Sequence, residues 1–349
     1  MKTRLFFLGF LFTASLSYAQ ETPVVTIPDA NFKSYLLANT AINTNNDTEI
    51  QVSEATAYMG TIDVVGLNIS SLEGIEAFTN VRIINCFNNQ LTQLDVSANT
   101  QLEKLYCSYN QLTQLNVSAN TQLKVLDCGN NQLTQLDVSA NTQLERLYCN
   151  NNPLTQLDVS ANTQLKELYC TNNSLTQLDV STNTELERLE CKYNQLMLLD
   201  LSSNQKLKLL ECRGNQLTSL NIKNNHNADI IYFAAIENPN LSCIQIDPGF
   251  TPSPTTWLKD STATYSSDCA TLSEEDVATI SVKVYPNPVQ DLLSIVVLES
   301  NEAKLYNMQG QYLETVRLNT GENTLDMTKY ATGVYFLTIG NSSTKIVKQ

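Results

Sequence analysis

Histidine is nearly missing from this chain of 349 residues: His226 is the single copy, and tryptophan also occurs once, at Trp257. Basic residues are short as well, 21 Lys and Arg against 35 Asp and Glu, for a formal net charge of −14. Past residue 16, no apolar run approaches the roughly 20 residues that a membrane helix needs. Each scarcity excludes something. With one histidine there is no Ser/His or Cys/His pair unless His226 itself faces a nucleophile, and it has no CxxC neighbour with which to hold zinc. A chain this acidic is a poor ligand for nucleic acid or an anionic membrane, which both rely on cationic neutralisation of phosphate. A cationic or neutral partner suits it better.

The first 19 residues belong to no domain. Lys2 and Arg4 precede an apolar run from Leu5 to Leu16, and Ser17 and Ala19 supply a small-residue cleavage site before Gln20, which reads as a secretory signal peptide. No cysteine stands at that site, so no lipid anchor is expected there. Loss of Lys2 and Arg4, with no acid lost, takes the formal charge from −14 to −16. The mature chain is expected to be exported, without a transmembrane segment.

What is abundant is repetition. Cys86, Cys107, Cys128, Cys149, Cys170, Cys191 and Cys212 stand 21 residues apart, each inside a near copy of LxxLxCxxNxLTxLDVSxNTx. A strict period of this length means a solenoid, because one copy cannot bury its own apolar side and must stack on the next. In the copy that begins at Leu102, positions 1, 4, 6, 11, 14 and 16 (Leu102, Leu105, Cys107, Leu112, Leu115, Val117) point inward, and positions 4 to 6 alternate as a short strand does. Stacked strands sit ~4.8 Å apart with parallel side chains, too far for the ~3.8 Å Cβ separation of a disulfide, so the seven cysteines read as buried thiols. Cys243 and Cys269 fall outside the period and are expected to form a disulfide in an oxidising compartment. Asn recurs at position 9 from Asn89 to Asn215, and at position 19 from Asn99 to Asn225. Both ladders are expected to satisfy backbone groups at the bends.

The phrase resembles the leucine-rich repeat LxxLxLxxNxL with cysteine in place of the third leucine, and its second half LTxLDVSxNT is similar to the short bacterial repeats called IRREKO. That resemblance implies a mainly β, curved solenoid with a parallel sheet, and recognition of proteins or glycans, in a plan like that of internalins and bacterial adhesins. We place the N-terminal cap at residues 20–80, the solenoid at 81–240 with a degenerate last copy around Ile231 and Phe233, a loop-rich C-terminal cap at 241–272, and an acidic linker at 273–281.

Residues 282–349 lose the period and show alternating strand patterns divided by Gly, Asn and Pro, as in a small antiparallel β-sandwich. Tyr285, Pro286, Asn287 and Pro288, then Leu305, Tyr306 and Gly310, then Gly333, Val334 and Tyr335, and the tail Lys345, Ile346, Val347 and Lys348 resemble the type A C-terminal sorting domain of the type IX secretion system of Bacteroidota. The resemblance implies that the type IX machinery is a partner of residues 282–349 and carries the chain from the periplasm across the outer membrane. It further implies removal of the domain on release or on attachment at the cell surface.

Four patterns bear on binding. Asn43, Asn45, Asp47, Glu49 and Glu54 resemble an EF-hand calcium loop, but Asn43 replaces the leading Asp and Thr48 the turn glycine, so weak calcium binding at most is expected, against a plain polar turn. No other cofactor is expected. At position 15, Asp137, Asp158, Asp179 and Asp200 read as caps of tight turns in preference to a metal row. Position 2 alternates in sign (Arg82, Glu103, Lys124, Glu145, Lys166, Glu187, Lys208), a ladder that favours correct register. Positions 3, 5, 7 and 8 are expected to point out of the concave face, where Tyr106, Tyr109, Arg146, Tyr148, Tyr169, Arg188 and Tyr193 form the candidate ligand site, since tyrosine and arginine dominate binding hot spots. Tyrosine also suits an exposed strand for its own sake. No catalytic residues are assigned. The expected function is that of an adhesin-like, non-catalytic surface or released protein; the alternative is a structural matrix component without a specific ligand.

Overall fold

The computed structural model describes residues 23–269, 283–297, 300–308, 310–339 and 342–349. The signal peptide and the linker lie outside these. The chain divides into two compact units, residues 1–272 and 273–349. Among the described residues, no helix is long and apolar enough to cross a membrane.

The first unit is a solenoid built on strands of three or four residues. In chain order they are β1 (Thr61–Asp63), β2 (Ile83–Asn85), β3 (Lys104–Tyr106), β4 (Val125–Asp127), β5 (Arg146–Tyr148), β6 (Glu167–Tyr169), β7 (Arg188–Glu190), β8 (Leu198–Asp200), β9 (Leu209–Glu211), β10 (Ser219–Asn221), β11 (Tyr232–Ala235), β12 (Cys243–Gln245), β13 (Trp257–Lys259) and β14 (Thr264–Ser266). A ten-stranded sheet runs β1-β2-β3-β4-β5-β6-β7-β9-β11-β13, and the remaining strands make a second sheet, β14-β12-β10-β8. Pairing is parallel and in register from copy to copy, as Leu105 with Leu126 and Leu126 with Leu147.

The buried lattice is nearly the same in every copy. The position 4 leucine and the position 6 cysteine are fully buried from Leu105 and Cys107 to Leu210 and Cys212. All seven periodic cysteines are free and buried, while Cys243 and Cys269 form a disulfide with Cα atoms 5.7 Å apart. Burial pushes the thiols up, to about 12 at Cys86, Cys149 and Cys191, so they remain protonated and unreactive.

The two asparagine ladders work differently. At position 9, Asn110 Nδ2 donates to the Cys86 and Cys107 carbonyls at 2.9 and 3.1 Å, while its Oδ1 accepts from Leu91 N at 2.9 Å. One side chain thus satisfies two orphan acceptors and one orphan donor, and the pattern continues to Asn238, which donates to Cys212 O and accepts from Leu217 N. At position 19 the amide only donates, as Asn120 Nδ2 does to Val96 O and Asn99 O, and its buried Oδ1 has no partner. The last rung of this second ladder is Asn224, fully buried and bonded to Asn204 O, whereas Asn225 is exposed and left-handed at φ 65°. The expected rung at Asn225 is therefore displaced by one residue, where the last clear copy closes one residue early.

Position 8 takes the left-handed conformation in each clear copy, from Asn88 (φ 57°) to Gly214 (φ 66°), which explains the preference for Asn and Gly. At position 15 each side chain caps its turn, Asp137 Oδ1 accepting from Ser139 N and Asp158 Oδ1 from Ser160 N, both at 2.9 Å.

The sheet runs past both ends of the recognisable repeats. β1 lies in the segment expected to be N-terminal cap, and β12, β13 and β14 in the one expected to be loop-rich, because strand pairing asks only for backbone N–H and C=O in register and not for leucine. In the N-terminal segment, α1 (Ala30–Ala38) starts at Asp29, whose Oδ1 accepts from Asn31 N and Phe32 N while its Oδ2 reaches Ser70 N and Oγ at 2.8 and 2.9 Å, tying helix to solenoid. α2 (Val52–Ala57) carries a capping box between Gln51 and Glu54. At the other end Trp257 stacks on Phe233 at 4.7 Å, meets the tilted Phe250 ring at 4.8 Å, and closes the core.

The second unit has two antiparallel sheets, one of β15 (Lys283–Tyr285), β16 (Leu292–Val297) and β19 (Gly321–Asp326), the other of β17 (Asn301–Asn307), β18 (Tyr312–Leu318), β20 (Gly333–Ile339) and β21 (Ser342–Lys348). Leu293, Ile295, Leu305, Leu337 and Ile346 are among the residues of its own core. The residues on which its resemblance rests are joined in space: Asn287 Nδ2 donates to Lys345 O at 2.6 Å and its Oδ1 accepts from Val347 N at 2.8 Å.

Candidate functional site: the open face of the sheet

In each strand of the repeats position 4 points into the core, leaving positions 3 and 5 on the open face. Read along the sheet, position 5 runs Asn85, Tyr106, Asp127, Tyr148, Tyr169, Glu190, Glu211, and position 3 runs Ile83, Lys104, Val125, Arg146, Glu167, Arg188, Leu209. All seven residues expected at the site lie on this face or on the turn that follows it. They do not form one patch.

Six of them fall into three groups, and Tyr106 joins none. In the largest, Tyr148 and Tyr169 pack at 5.0 Å between ring centroids, the Tyr148 hydroxyl donates to Glu167 Oε2 at 2.6 Å, and Arg146 Nε lies 3.6 Å from Glu167 Oε1. Arg188 reaches the Tyr169 hydroxyl. Burial first, and then the neighbouring Glu167 carboxylate, push the Tyr148 hydroxyl well above its usual pKa, so it stays a donor. In the second group Tyr109, half exposed, packs on Phe87 at 5.1 Å. In the third, the Arg213 guanidinium lies over the Tyr193 ring at 6.0 Å, and a Cβ added to Gly214 would collide with that ring. Glycine there makes room for the ring. Tyr109 and Tyr193 themselves are left-handed at φ 55° and 53°, a conformation that costs a bulky side chain on the order of 1–2 kcal/mol.

Glu167, Asp127 and Phe87 were not among the expected site residues. Glu167 was hidden because it is the one acid in a column that otherwise alternates apolar and basic residues. Asp127 sits in register between Tyr106 and Tyr148, with Oδ2 accepting from Ser108 Oγ at 2.9 Å and Oδ1 from Gly129 N at 3.3 Å. Burial raises its carboxyl above the usual value despite those two donors.

The charge ladder at position 2 pairs off unevenly. Glu103 bridges Arg82 and Lys124 at 3.0 and 2.9 Å, whereas Glu145 pairs with Lys166 and Glu187 with Lys208. The expected ladder is there, each charge stacked next to its opposites, but among the described residues only Glu103 closes two ion pairs.

Elsewhere, His226 Nδ1 lies 3.1 Å from Asp229 Oδ2, both exposed. In the loop expected to bind calcium weakly, Glu54 Oε1 accepts from Thr44 N and Oγ1 and its Oε2 from Gln51 N, Asp47 accepts from Glu49 N, Asn45 and Gln51, and Glu49 pairs with Lys33 at 2.7 Å. Two of the carboxylates are thus engaged inside the loop, and the third, Glu49, by Lys33 of α1. No group of three or more His, Cys, Asp or Glu among the described residues is arranged to hold a metal ion.

A stack of short parallel strands over a cysteine and asparagine lattice, followed by a separate antiparallel sandwich, is the architecture of a leucine-rich repeat solenoid with a C-terminal sorting domain. Residues 283–349 match the family of the secretion system C-terminal sorting domain, which places the protein at the cell surface or outside the cell by type IX secretion, and residues 100–141 match the leucine rich repeats (two copies). Among solved structures, the chain is similar to the functional domain of InlJ from Listeria monocytogenes, which includes a cysteine ladder, at 28% identity and TM-score 0.50, over 70% of this chain and 62% of that one. It thus spans under two thirds of that relative. Internalin C2 from Listeria monocytogenes, at 22% identity and TM-score 0.51 over 54% of this chain and 86% of its own, shares the fold. No curated protein matches the chain.

Proposed function

We propose that this is a non-catalytic, adhesin-like binding module that takes an extracellular protein or glycan on the concave, open face of its ten-stranded sheet. The observation that supports the reading is where the copies differ. Buried positions repeat almost unchanged, while position 5 on the open face passes through Asn, Tyr, Asp, Tyr, Tyr, Glu and Glu. Stacking needs none of that variety, and tyrosine is among the residues that most often dominate recognition surfaces. Retention of Tyr109 and Tyr193 in a strained left-handed conformation, where other copies hold Asn or Gly, supports it further.

The test is binding of the purified chain to arrayed glycans and extracellular-matrix proteins, alongside a variant with Tyr106, Tyr148 and Tyr169 changed to Ala. Binding by the native chain that the variant loses is expected; equal binding by both would favour a matrix component held by other surfaces. The Asn43 to Glu54 loop acts here as a turn that orders the cap without an ion. Melting in calcium and in chelator should then coincide.

A further inference from the structure

We infer that Asp127, with Tyr106 and Tyr148 on either side, is a receptor for one basic side chain, Lys or Arg, of a protein partner. This rests on the reading of the open face as a binding surface and names the chemistry it recognises.

Charge pairing on the face is the first argument. On β4 to β9 of the large sheet the other outward acids all have a basic partner: Glu167 has Arg146, and Glu190 and Glu211 share Lys192. Even the flanking Glu103, Glu145 and Glu187 are paired. Asp127 has none among the described residues, although it is half-buried. A partly desolvated carboxylate without a counter-charge is costly, and the hydrogen bonds from Ser108 and Gly129 orient it without neutralising it. Groups kept at such cost concentrate at functional sites.

The surroundings fit a cation. Strand register sets a tyrosine on each side of the carboxylate. Tyr148 is packed against Tyr169 on its far side, and among the described residues neither an ion pair nor a ring contact engages Tyr106. Aromatic side chains beside a carboxylate attract an ammonium or guanidinium through their π faces as well as by charge. Position 7 beside it is small and buried, Ser108 in one copy and Gly129 in the next, with the Asn150 side chain over Gly129, while Asp127 itself stays half-buried on the face. A neutral sugar would leave the charge uncompensated, whereas a basic side chain supplies what every other acid on these strands already has. The net charge of −14 draws such a partner in.

The experiment measures binding of the full chain to labelled peptides that carry one Lys or one Arg in a Gly/Ser background, with an all-neutral peptide and neutral oligosaccharides as the other arms. Two variants each remove one negative charge: Asp127→Asn at the receptor, and Asp158→Asn at a turn where other copies already use Asn116 and Asn221. A loss of at least about tenfold in Asp127→Asn, and no change in Asp158→Asn, is expected. Melting of Asp127→Asn at or above the native temperature would separate this loss from a folding defect. Equal effects in the two variants, or no basic-peptide binding at millimolar concentration, would overturn the inference. Oligosaccharide binding that survives Asp127→Asn but is lost with the three tyrosines would overturn it while leaving the open face as the binding surface; ligand binding that neither variant set disturbs would overturn both.

Discussion

The inside of the solenoid and its open face are built from the same copies under opposite rules. At position 9 every clear copy holds Asn, because the side chain must donate twice and accept once at fixed points, and no other residue of that size does so. At position 8, one residue away, the backbone demands only a left-handed conformation, and Asn, Tyr and Gly all occur. The contrast teaches that a repeated buried residue records a geometric demand, whereas variation on the face records freedom that function can use.

The sharpest way to break the comparison is to violate the inner rule. Asn131→Leu would strand Leu112 N in the core and take one of two amide donors from each of the Cys107 and Cys128 carbonyls, which keep Asn110 and Asn152, and should cost on the order of 2 kcal/mol in denaturant unfolding; a loss under 1 kcal/mol would mean that the lattice does not depend on its amides. Comparable in size is the cap. Replacing Cys243 and Cys269 with Ser opens a link across 26 residues and should lower stability by about 2–4 kcal/mol. Thiol titration of the native-sequence chain, denatured but unreduced, should find the seven periodic cysteines free.

Acid should act on the N-terminal cap. Burial pushes the Asp29 and Glu54 carboxyls up, but N–H donors outweigh it (Phe32, Ser70 and Ser71 for Asp29; Gln51 and Thr44 for Glu54), so both fall below their usual values. Their stabilisation is therefore complete above the unfolded pKa of about 4 and is lost as pH falls through the folded values. Hydrogen exchange between pH 6 and 3 should show residues of α1 and α2 opening before the central strands, and Asp29→Asn should weaken that pH dependence. The smallest effect sharpens the outer rule. Tyr109→Asn and Tyr193→Asn relieve left-handed strain of about 1 kcal/mol each while giving up a ring contact, so melting should stay level or rise while ligand binding falls; a clear drop in melting temperature would make these rings structural.

Much of this was legible in the sequence because it is periodic. The inward leucines, the seven free thiols, the single disulfide and the position 15 turn caps all follow from spacing and compartment. The ends were harder: β1 and β13 turn Ile62 and Trp257 inward where the copies use leucine or cysteine, so Thr61–Asp63 and Trp257–Lys259 do not match the repeated phrase. On the face, tyrosines were visible one by one, but their sorting into three groups depends on Glu167, Phe87 and Gly214, residues that become partners only once strands are in register. Asp127 was the hardest to see, since it is distinguished by the partner it lacks.

The uneven pairing along position 2 has a genetic corollary. Because the charges close into the sets Arg82–Glu103–Lys124, Glu145–Lys166 and Glu187–Lys208, loss of the single copy that carries Glu103 would set Arg82 against Lys124, and gain of one copy would likewise place like beside like. Adding or losing two adjacent copies restores the alternation. A gene encoding such an array should therefore lengthen and shorten more readily in steps of two repeats than of one.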